Sequence, residues 1–356
     1  MSSQTWEWVW RKEVTMKPTD FSRHLSDFFG KYLPTECGLS NNTIKTYSVT
    51  FTLLVKFMEL SEGIRPEYLR LSDFSVQRIK DFLVWLEKER GCSPSTRNAR
   101  LGAVHSFFKY LQYQDVKGLF SWQNILAIKS KRVAQKEMAY LTIEGIKLLL
   151  KQPDLQTRTG RRDFVLLGLL YDSAARVQEL IDLMPSNIRF DDTTTIKLIG
   201  KGSKARCVPL SVVQAKNLKR YMIERNLLER ENLSKPLFCN PQGNRLSRMA
   251  ILNIVKKYVE MAKQVQPELI PDDIGCHSLR HSKAMHMLEA NINLVYIRDF
   301  LGHSSTNTTE IYARASSKKK QEALEKLNPG IIKEGKSSWQ KDKTLMSYLK
   351  ELQRKY

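Results

Sequence analysis

Hydrophobic positions recur with the period of a helix through residues 17–115. Phe21, Leu25, Phe28, Phe29 and Leu33 fall on one face of a first helix. A second, capped at Asn41 or Asn42, carries Tyr47, Phe51, Leu54 and Phe57. A third runs from about Ser75 through Ile79, Phe82, Leu83 and Leu86. The fourth has the clearest start, with Ser93 as cap and Pro94 in the first turn, ahead of Leu101, Val104, Phe108 and Leu111. Its opposite face offers Arg97, Arg100, His105 and Lys109, which suit either a solvated helix or a polyanion.

The pattern weakens over 116–139, where Lys129-Ser130-Lys131-Arg132 is the most conspicuous feature; the stretch reads as an interdomain linker. Residues 140–330 are mixed. A helix opens at Leu141-Thr142-Ile143-Glu144 and runs through Leu150, a buried helix follows over about 161–171, and another spans 176–183. Residues 188–210 alternate like strands, with Ile196 and Leu198 on one side and Gly200-Lys201-Gly202-Ser203-Lys204 as the turn. Helices resume at about Ser211, at 247–263, and twice more between Cys276 and Arg314; residues 316–327 prolong the last until Asn328-Pro329-Gly330. The expected fold is mainly α with a small β-sheet: a helical domain over 17–115 and a mixed α/β domain over 140–330. Outside them lie an arm at 1–16, where Trp6, Trp8 and Trp10 fit strand or helix, and a tail at 331–356. The tail's Leu345, Leu349 and Leu352 form a stripe too short for a core of its own, so it must dock on its own body or on a neighbouring subunit.

Bulk properties sharpen this picture. A chain of 356 residues with 42% hydrophobic content supports two cores. The mean hydropathy is −0.40, and the longest apolar run, Phe164–Tyr171, is too short to span a bilayer. The opening MSSQTWEWVWRKEV lacks the apolar core of a secretory signal. Cys37, Cys92, Cys207, Cys239 and Cys276 are scattered with no CxxC pair, which argues against a zinc module or disulfide framework and suits a reducing cytoplasm. The net charge of +21 favours a polyanionic partner, nucleic acid first. Beside that charge, Arg97, Arg100, Lys109, Lys131, Arg132, Lys204 and Arg206 are candidate DNA contacts.

The candidate chemistry lies in Cys276–Arg314. His277 and Arg280 are three apart and share a helical face, with His281 on nearly the same side. Gly302 suits the left-handed position that ends a helix, so His303 projects from a directed loop. Asn307 and Glu310 fit a capping arrangement that sets Tyr312 in the next helix. A zincin site needs Glu after the first histidine, where Ser278 stands; no carboxylate or thiol cluster adds ligands, so no metal is expected. Gly200-Lys201-Gly202 does not meet the P-loop pattern either. It suits a mobile cation on a hairpin tip, with Lys204 and Arg206 as nearby alternates.

In order along the chain stand Arg176-x-x-Glu179, then Gly200-Lys201-Gly202-x-Lys204-x-Arg206-x-x-Pro209-Leu210, then His277-x-Leu279-Arg280-His281, then Leu301-Gly302-His303, then Tyr312. This ordered set resembles the tyrosine recombinases, the family of phage integrases, chromosome-dimer resolving recombinases and transposon integrases. The resemblance is strong over about 140–316; residues 17–115 are similar to the family's SAM-like helical core-binding domain. It implies that Arg176 and Arg280 grip the scissile phosphate and that Lys201 protonates the leaving 5′ oxygen. His277 and His303 take the remaining phosphate-contacting and acid–base positions, Tyr312 is the nucleophile, and Glu179 and His281 support. The chain departs from the family at Ala174-Ala175, where glycine and a larger apolar residue are common, and at Ser186-Asn187-Ile188, which lacks the frequent Asp before Ile.

Chemistry supports these expectations. Paired guanidiniums bind a phosphodiester's oxygens bidentately and keep their charge, so arginines take the place of a metal. A tyrosine hydroxyl, with an ordinary pKa of about 10, needs cations or a base to attack. The covalent phosphotyrosine conserves the broken bond, so no ATP and no cofactor is expected. The implied partners are double-stranded DNA carrying a specific target site and three further copies of the chain in a homotetramer, within a cytoplasmic nucleoid and with no membrane. Integration, excision or transposition of a mobile element is the favoured duty, on the strength of the segments outside the two-domain body. Chromosome-dimer resolution, a catalytically silent DNA-binding regulator and a relaxing topoisomerase-like enzyme are the alternatives.

Overall fold

A computed structural model of the chain describes residues 17–115, 118–133, 138–200, 204–303, 309, 312 and 345–355. The expectations for 1–16, Lys201, Asn307, Glu310 and 316–327 lie outside these residues. The chain divides into two compact units between Gln135 and Lys136.

The first unit is helical: α1 (Asp20–Asp27), α2 (Asn41–Glu62), α3 (Val76–Lys88), α4 (Pro94–Gln114) and α5 (Leu119–Leu126). Thr19, Ser40, Ser75 and Ser93 each turn a hydroxyl onto a backbone N–H of the first turn. Ser40, not Asn41 or Asn42, therefore caps α2: its backbone is extended, while the asparagines are already helical. The wider-wound turns Phe28–Glu36 continue directly from α1 and accommodate Pro34. They bring Phe28 against Phe107 of α4, ring centroids 5.2 Å apart and edge to face.

The helical unit continues past its expected end at residue 115. Trp122, Ile125 and Ile128 are buried in the same core, with the Trp122 ring 5.2 Å from Phe108. The three residues recur at i, i+3 and i+6, a period too short in extent to stand out beside the basic run that follows. Residues 118–128 are thus a packed element rather than linker.

The second unit holds the small sheet: β1 (Ile188–Arg189), β2 (Thr195–Ile199) and β3 (Ala205–Pro209), antiparallel in the order β1-β2-β3. Ile196 faces Val208 and Leu198 faces Arg206, with Ile196, Leu198 and Val208 fully buried. Around it run α6 (Ile143–Leu150), α7 (Arg158–Asp172), α8 (Val177–Ile181), α9 (Val212–Glu224), α10 (Arg248–Val265), α11 (Cys276–Glu289) and α12 (Leu294–Leu301). The main core joins the apolar faces of α6, α7, α9 and α10 to the sheet. A smaller cluster of Ala174, Ala284, Met285, Leu288, Ile297, Leu301 and Tyr312 lies between α11 and α12. The tail contributes α13 (Leu345–Lys355), whose Leu349 is exposed. Among the described residues no helix is long and apolar enough to cross a membrane.

The packing of α5 is testable. Trp122→Ala should destabilise the helical unit by about 3–5 kcal/mol, the cost of truncating a core aromatic. Urea unfolding of the full chain measures this; a loss within about 0.5 kcal/mol, typical of an exposed linker residue, would contradict it.

Candidate functional site

The site begins at the start of α8. Arg176 precedes the helix in an extended conformation, and Glu179, three residues on, accepts the Arg176 backbone N–H at 2.8 Å. The same carboxylate takes Nη1 of Arg176 at 2.8 Å, and Nη1 and Nη2 of Arg206 at 2.8 Å each. Glu179 is buried, and burial pushes its carboxyl upward. The hydrogen bonds from Arg206 and from the Arg176 backbone outweigh that and hold it below its ordinary value. Two guanidiniums therefore share one fixed anion.

The second anchor is the C-terminus of α12. Gly302 adopts the left-handed conformation, φ 64°, and closes the helix with bonds from its own N–H to Asp299 O and from His303 N–H to Arg298 O. Of the carbonyls that a helix end leaves without partners, these bonds close two. The next two are taken by arginines: Phe300 O accepts Nε of Arg206 at 3.0 Å, and Leu301 O accepts Nη2 of Arg280 at 2.6 Å. Nη2 of Arg176 reaches Gly302 O at 3.3 Å. The negative pole of the helix dipole thus faces three cations.

Arg280 projects from the first turns of α11 and is 3% exposed. Its Nη1 donates to Ala174 O at 2.6 Å. Burial, with the charges of Arg176 and Arg206, lowers its pKa to about 10, so it remains a cation at neutral pH. Ala174 presents that carbonyl from a left-handed backbone, φ 48°, which explains why glycine suits the position and shows that the departure seen in the sequence leaves the contact intact.

Tyr312 is 1% exposed, and its hydroxyl lies 3.0 Å from Nδ1 of His281. Its ring is parallel to that of His303, centroids 6.4 Å apart, and Nδ1 of His303 lies 3.0 Å from Oγ1 of Thr309. Burial raises the Tyr312 pKa, against the opposing pull of Arg280 and Arg176. Burial also lowers His281 and His303 to about 4 each, assisted by His277 and Arg280 for the former and by Arg280, Arg176 and Arg206 for the latter. His277 is exposed, its ring 6.5 Å from that of His281. It lines a cleft of about 570 Å³ together with Arg176, Gln178 and Arg248.

The fold therefore gathers Arg176, Glu179, His277, Arg280, His281, His303 and Tyr312 into one neighbourhood. Arg206 joins them, but bound to Glu179 and Phe300 rather than free as a DNA contact or an alternate to a hairpin lysine; Lys204 is exposed. A signal for this was present: alternation along β3 puts Arg206 on the side of buried Val208, where a cation needs an anion. Arg248, hydrogen-bonded to Gln178 at 3.0 Å, had no such signal. Among the described residues no group of three or more His, Cys, Asp and Glu is placed to hold a metal ion.

In the helical unit the expected cationic face is only partly free. Arg97 is buried and donates to Asn98 Oδ1 and Lys129 O, and Arg100 donates to Thr46 O and Thr50 Oγ1. These two guanidiniums brace α4 against α2 and the 129 segment, because their stems emerge from the packed side of the helix. Lys131 pairs with Glu87 at 2.7 Å, while Lys109 and Arg132 are exposed.

Comparison with known proteins gives a consistent match. Residues 139–319 fit the phage integrase family model, and 27–115 the phage integrase N-terminal SAM-like domain. A putative integrase/recombinase, y4rC, of Sinorhizobium fredii is 32% identical over 329 residues, covering 92% of this chain and 97% of that protein. The tyrosine recombinase XerD of Listeria innocua is 30% identical over 312 residues, covering 86% and 98%. Among solved structures, XerH recombinase bound to difH DNA after cleavage superposes with a TM-score of 0.63 at 23% identity, covering 79% of each chain. The Tn1549 transposon integrase in complex with transposon right end DNA gives 0.65 at 15% identity, covering 85% of this chain and 98% of that one.

Two measurements check the site's energetics. Ala174→Gly relieves a left-handed alanine worth about 1–2 kcal/mol, but incurs about 0.5–1 kcal/mol of backbone entropy and loses a buried methyl worth about 0.8 kcal/mol, so Tm should hold. A drop of several degrees would mean that no strain offsets the lost methyl and the added backbone freedom. The depressed histidines set the sign of a pH effect. His281 and His303 favour the neutral form when folded, so the stability they add is present above pH 6.5 and lost as pH falls toward about 4. Tm should fall across that window, and less steeply in His281→Gln than in the parent; equal slopes would remove His281 from this account.

Proposed function

The chain belongs to the phage integrase family of tyrosine site-specific recombinases, and on that premise we propose that it cuts and rejoins duplex DNA at a specific target through a 3′-phosphotyrosine on Tyr312. The observation that carries this reading is the Tyr312 hydroxyl, 3.0 Å from His281 and beside the buried Arg280 guanidinium.

In the proposed reaction Arg176 and Arg280 bind the non-bridging oxygens of one phosphodiester and stabilise the charge that gathers on them. The Tyr312 oxygen attacks phosphorus, the bond to the 5′ oxygen breaks, and Lys201 supplies the proton that oxygen takes up. The phenolic proton passes to a neighbouring histidine, for which His281 is the hydrogen-bonded acceptor. His277 and His303 contact the phosphate and serve the acid–base steps. A 5′ hydroxyl from a partner strand then attacks the phosphotyrosine, restoring the diester and releasing the tyrosine, with no external energy source. Lys109, Arg132 and Lys204 contact the DNA backbone.

Two duplexes and paired cuts call for four copies on the DNA, and α13 is the segment we assign to contact a neighbouring copy. The likeness to the Sinorhizobium fredii integrase/recombinase supports integration, excision or transposition of a mobile element; on this reading the chain acts at the nucleoid in the cytoplasm. Chromosome-dimer resolution is the second reading, since a relative named simply as a tyrosine recombinase is nearly as similar, at 30% against 32%.

A suicide duplex nicked beside the cut site, drawn from the DNA flanking the gene, traps the covalent intermediate. The parent chain should accumulate a protein–DNA adduct; Tyr312→Phe should form none while retaining DNA affinity within about threefold. Adduct formation by the phenylalanine variant would assign the nucleophile elsewhere.

A further inference from the structure

We propose that Arg206 is a positioning residue for strand cleavage, setting three catalytic elements through Glu179 and the end of α12 without touching DNA. The proposal rests on the reading of Tyr312 and its neighbours given above.

Three of the five N–H groups of Arg206 are engaged by protein: Nε with Phe300 O, and Nη1 and Nη2 with the two oxygens of Glu179. Both its Nη atoms are held by a carboxylate, whereas those of Arg280 meet only neutral carbonyls, and its side chain is 11% exposed against 34% for Arg176. A phosphate approaching this surface meets Arg176 first, and Arg206 reaches it only by abandoning a buried carboxylate. Stripping such an anion of its paired donors is costly in a dehydrated setting, so exchange with phosphate is disfavoured. The guanidinium is a clamp, and its planar fork suits that task better than an ammonium would.

What it clamps are three parts that carry separate catalytic groups. Glu179 fixes Arg176 through both the backbone N–H and Nη1. Phe300 O belongs to the last turn of α12, two residues before Gly302 and three before His303, and a Cβ on Gly302 would lie 2.9 Å from Cδ of Arg206. The end of β2 packs on the same ion cluster: a Cβ on Gly200 would lie 3.2 Å from Oε1 of Glu179 and 3.6 Å from Nη1 of Arg176. Gly200 immediately precedes Lys201 in the chain. Arg206 therefore stands at the junction of the strand that leads to Lys201, the turn that carries Arg176 and the helix end that leads to His303. Misplacing such groups by about 1 Å is enough to cost 10²-fold in rate.

The test uses the full chain and the nicked suicide duplex, with DNA affinity by gel shift and adduct formation in single turnover at saturating protein. Arg206→Ala should bind DNA within about threefold of the parent and form adduct about 10²-fold more slowly. Arg206→Lys, which restores the charge but not the fork, should recover about tenfold of that loss. The double variant Arg206→Ala/Glu179→Gln should lose little more than the worse single variant, because both act through one cluster. Parent-like cleavage by Arg206→Ala overturns the proposal. So does an Arg206→Ala defect confined to affinity with a shallower salt dependence, which is the mark of a phosphate contact. If the alanine variant does not fold, the lysine variant decides: a parent-like rate rejects the clamp, and a slowed rate at unchanged affinity supports it. Tyr312→Phe in the same assay separates the two readings. An adduct there defeats the assignment of the nucleophile, whereas an inert Tyr312→Phe beside a fully active Arg206→Ala defeats only the role of Arg206.

Discussion

Three guanidiniums converge in a mostly dehydrated space, and the rest of the site follows from what keeps them there. Arg176, Arg206 and Arg280 would repel one another without an anchor. One carboxylate, Glu179, and the carbonyls at the end of α12 supply it. The helix end is suited to this because its last carbonyls are obligatory acceptors with no intrahelical partner. The Gly302 closure satisfies Arg298 and Asp299 and leaves Phe300 and Leu301 for Arg206 and Arg280. One carboxylate against three cations leaves an excess of positive charge held in place. Such a centre holds its positive charge in place before an anion arrives.

Dehydration has opposite consequences for the acids and bases around this centre. It lowers His281 and His303 to about 4, so both rings are neutral at physiological pH. A neutral imidazole accepts a proton; an imidazolium cannot. It raises Tyr312, so the phenol keeps its proton at rest. The carboxylate is the exception, because Glu179 alone among these groups has four donors directed at it. Fixed partners hold its pKa down where burial alone would raise it.

Much of this arrangement was legible in the chain. The helical period of 17–115, the strand alternation around Ile196 and Leu198, and the helix stop at Gly302 are local signals, and the structure follows them. The gathering of Arg176, Glu179, His277, Arg280, His303 and Tyr312 was legible only as an ordered set of motifs, because no single spacing implies that residues 176 and 312 are neighbours. What was illegible depends on long-range packing. Whether an arginine on α4 meets solvent or a carbonyl is decided by α2 and the 129 segment, so Arg97 and Arg100 look alike with Lys109 in sequence and differ in space. Arg206 was read as a free cation for the same reason: its partners, Glu179 and Phe300, are 27 and 94 residues away. Trp122 and Ile125 were hidden because an eight-residue helix shows too few turns to announce its period.

The acid–base balance also constrains the order of events in the proposed reaction. The phenol of Tyr312 sits above its ordinary value of 10, and its acceptor His281 near 4. Full proton transfer in the resting site would therefore be strongly uphill, since burial opposes charge on both partners. A phosphodiester docked on Arg176 and Arg280 makes ionisation harder still, since its negative charge cancels part of the field that favours phenolate. A free phenolate formed ahead of attack is thus a poor intermediate. The proton is better moved as the bond to phosphorus forms, when the phenolic oxygen loses its basicity and the transfer turns downhill. On this account the imidazole need not be a strong base; it needs to be neutral, close and aligned. The 3.0 Å contact between buried Tyr312 and His281 supplies the closeness, and the lowered pKa of His281 the neutral ring.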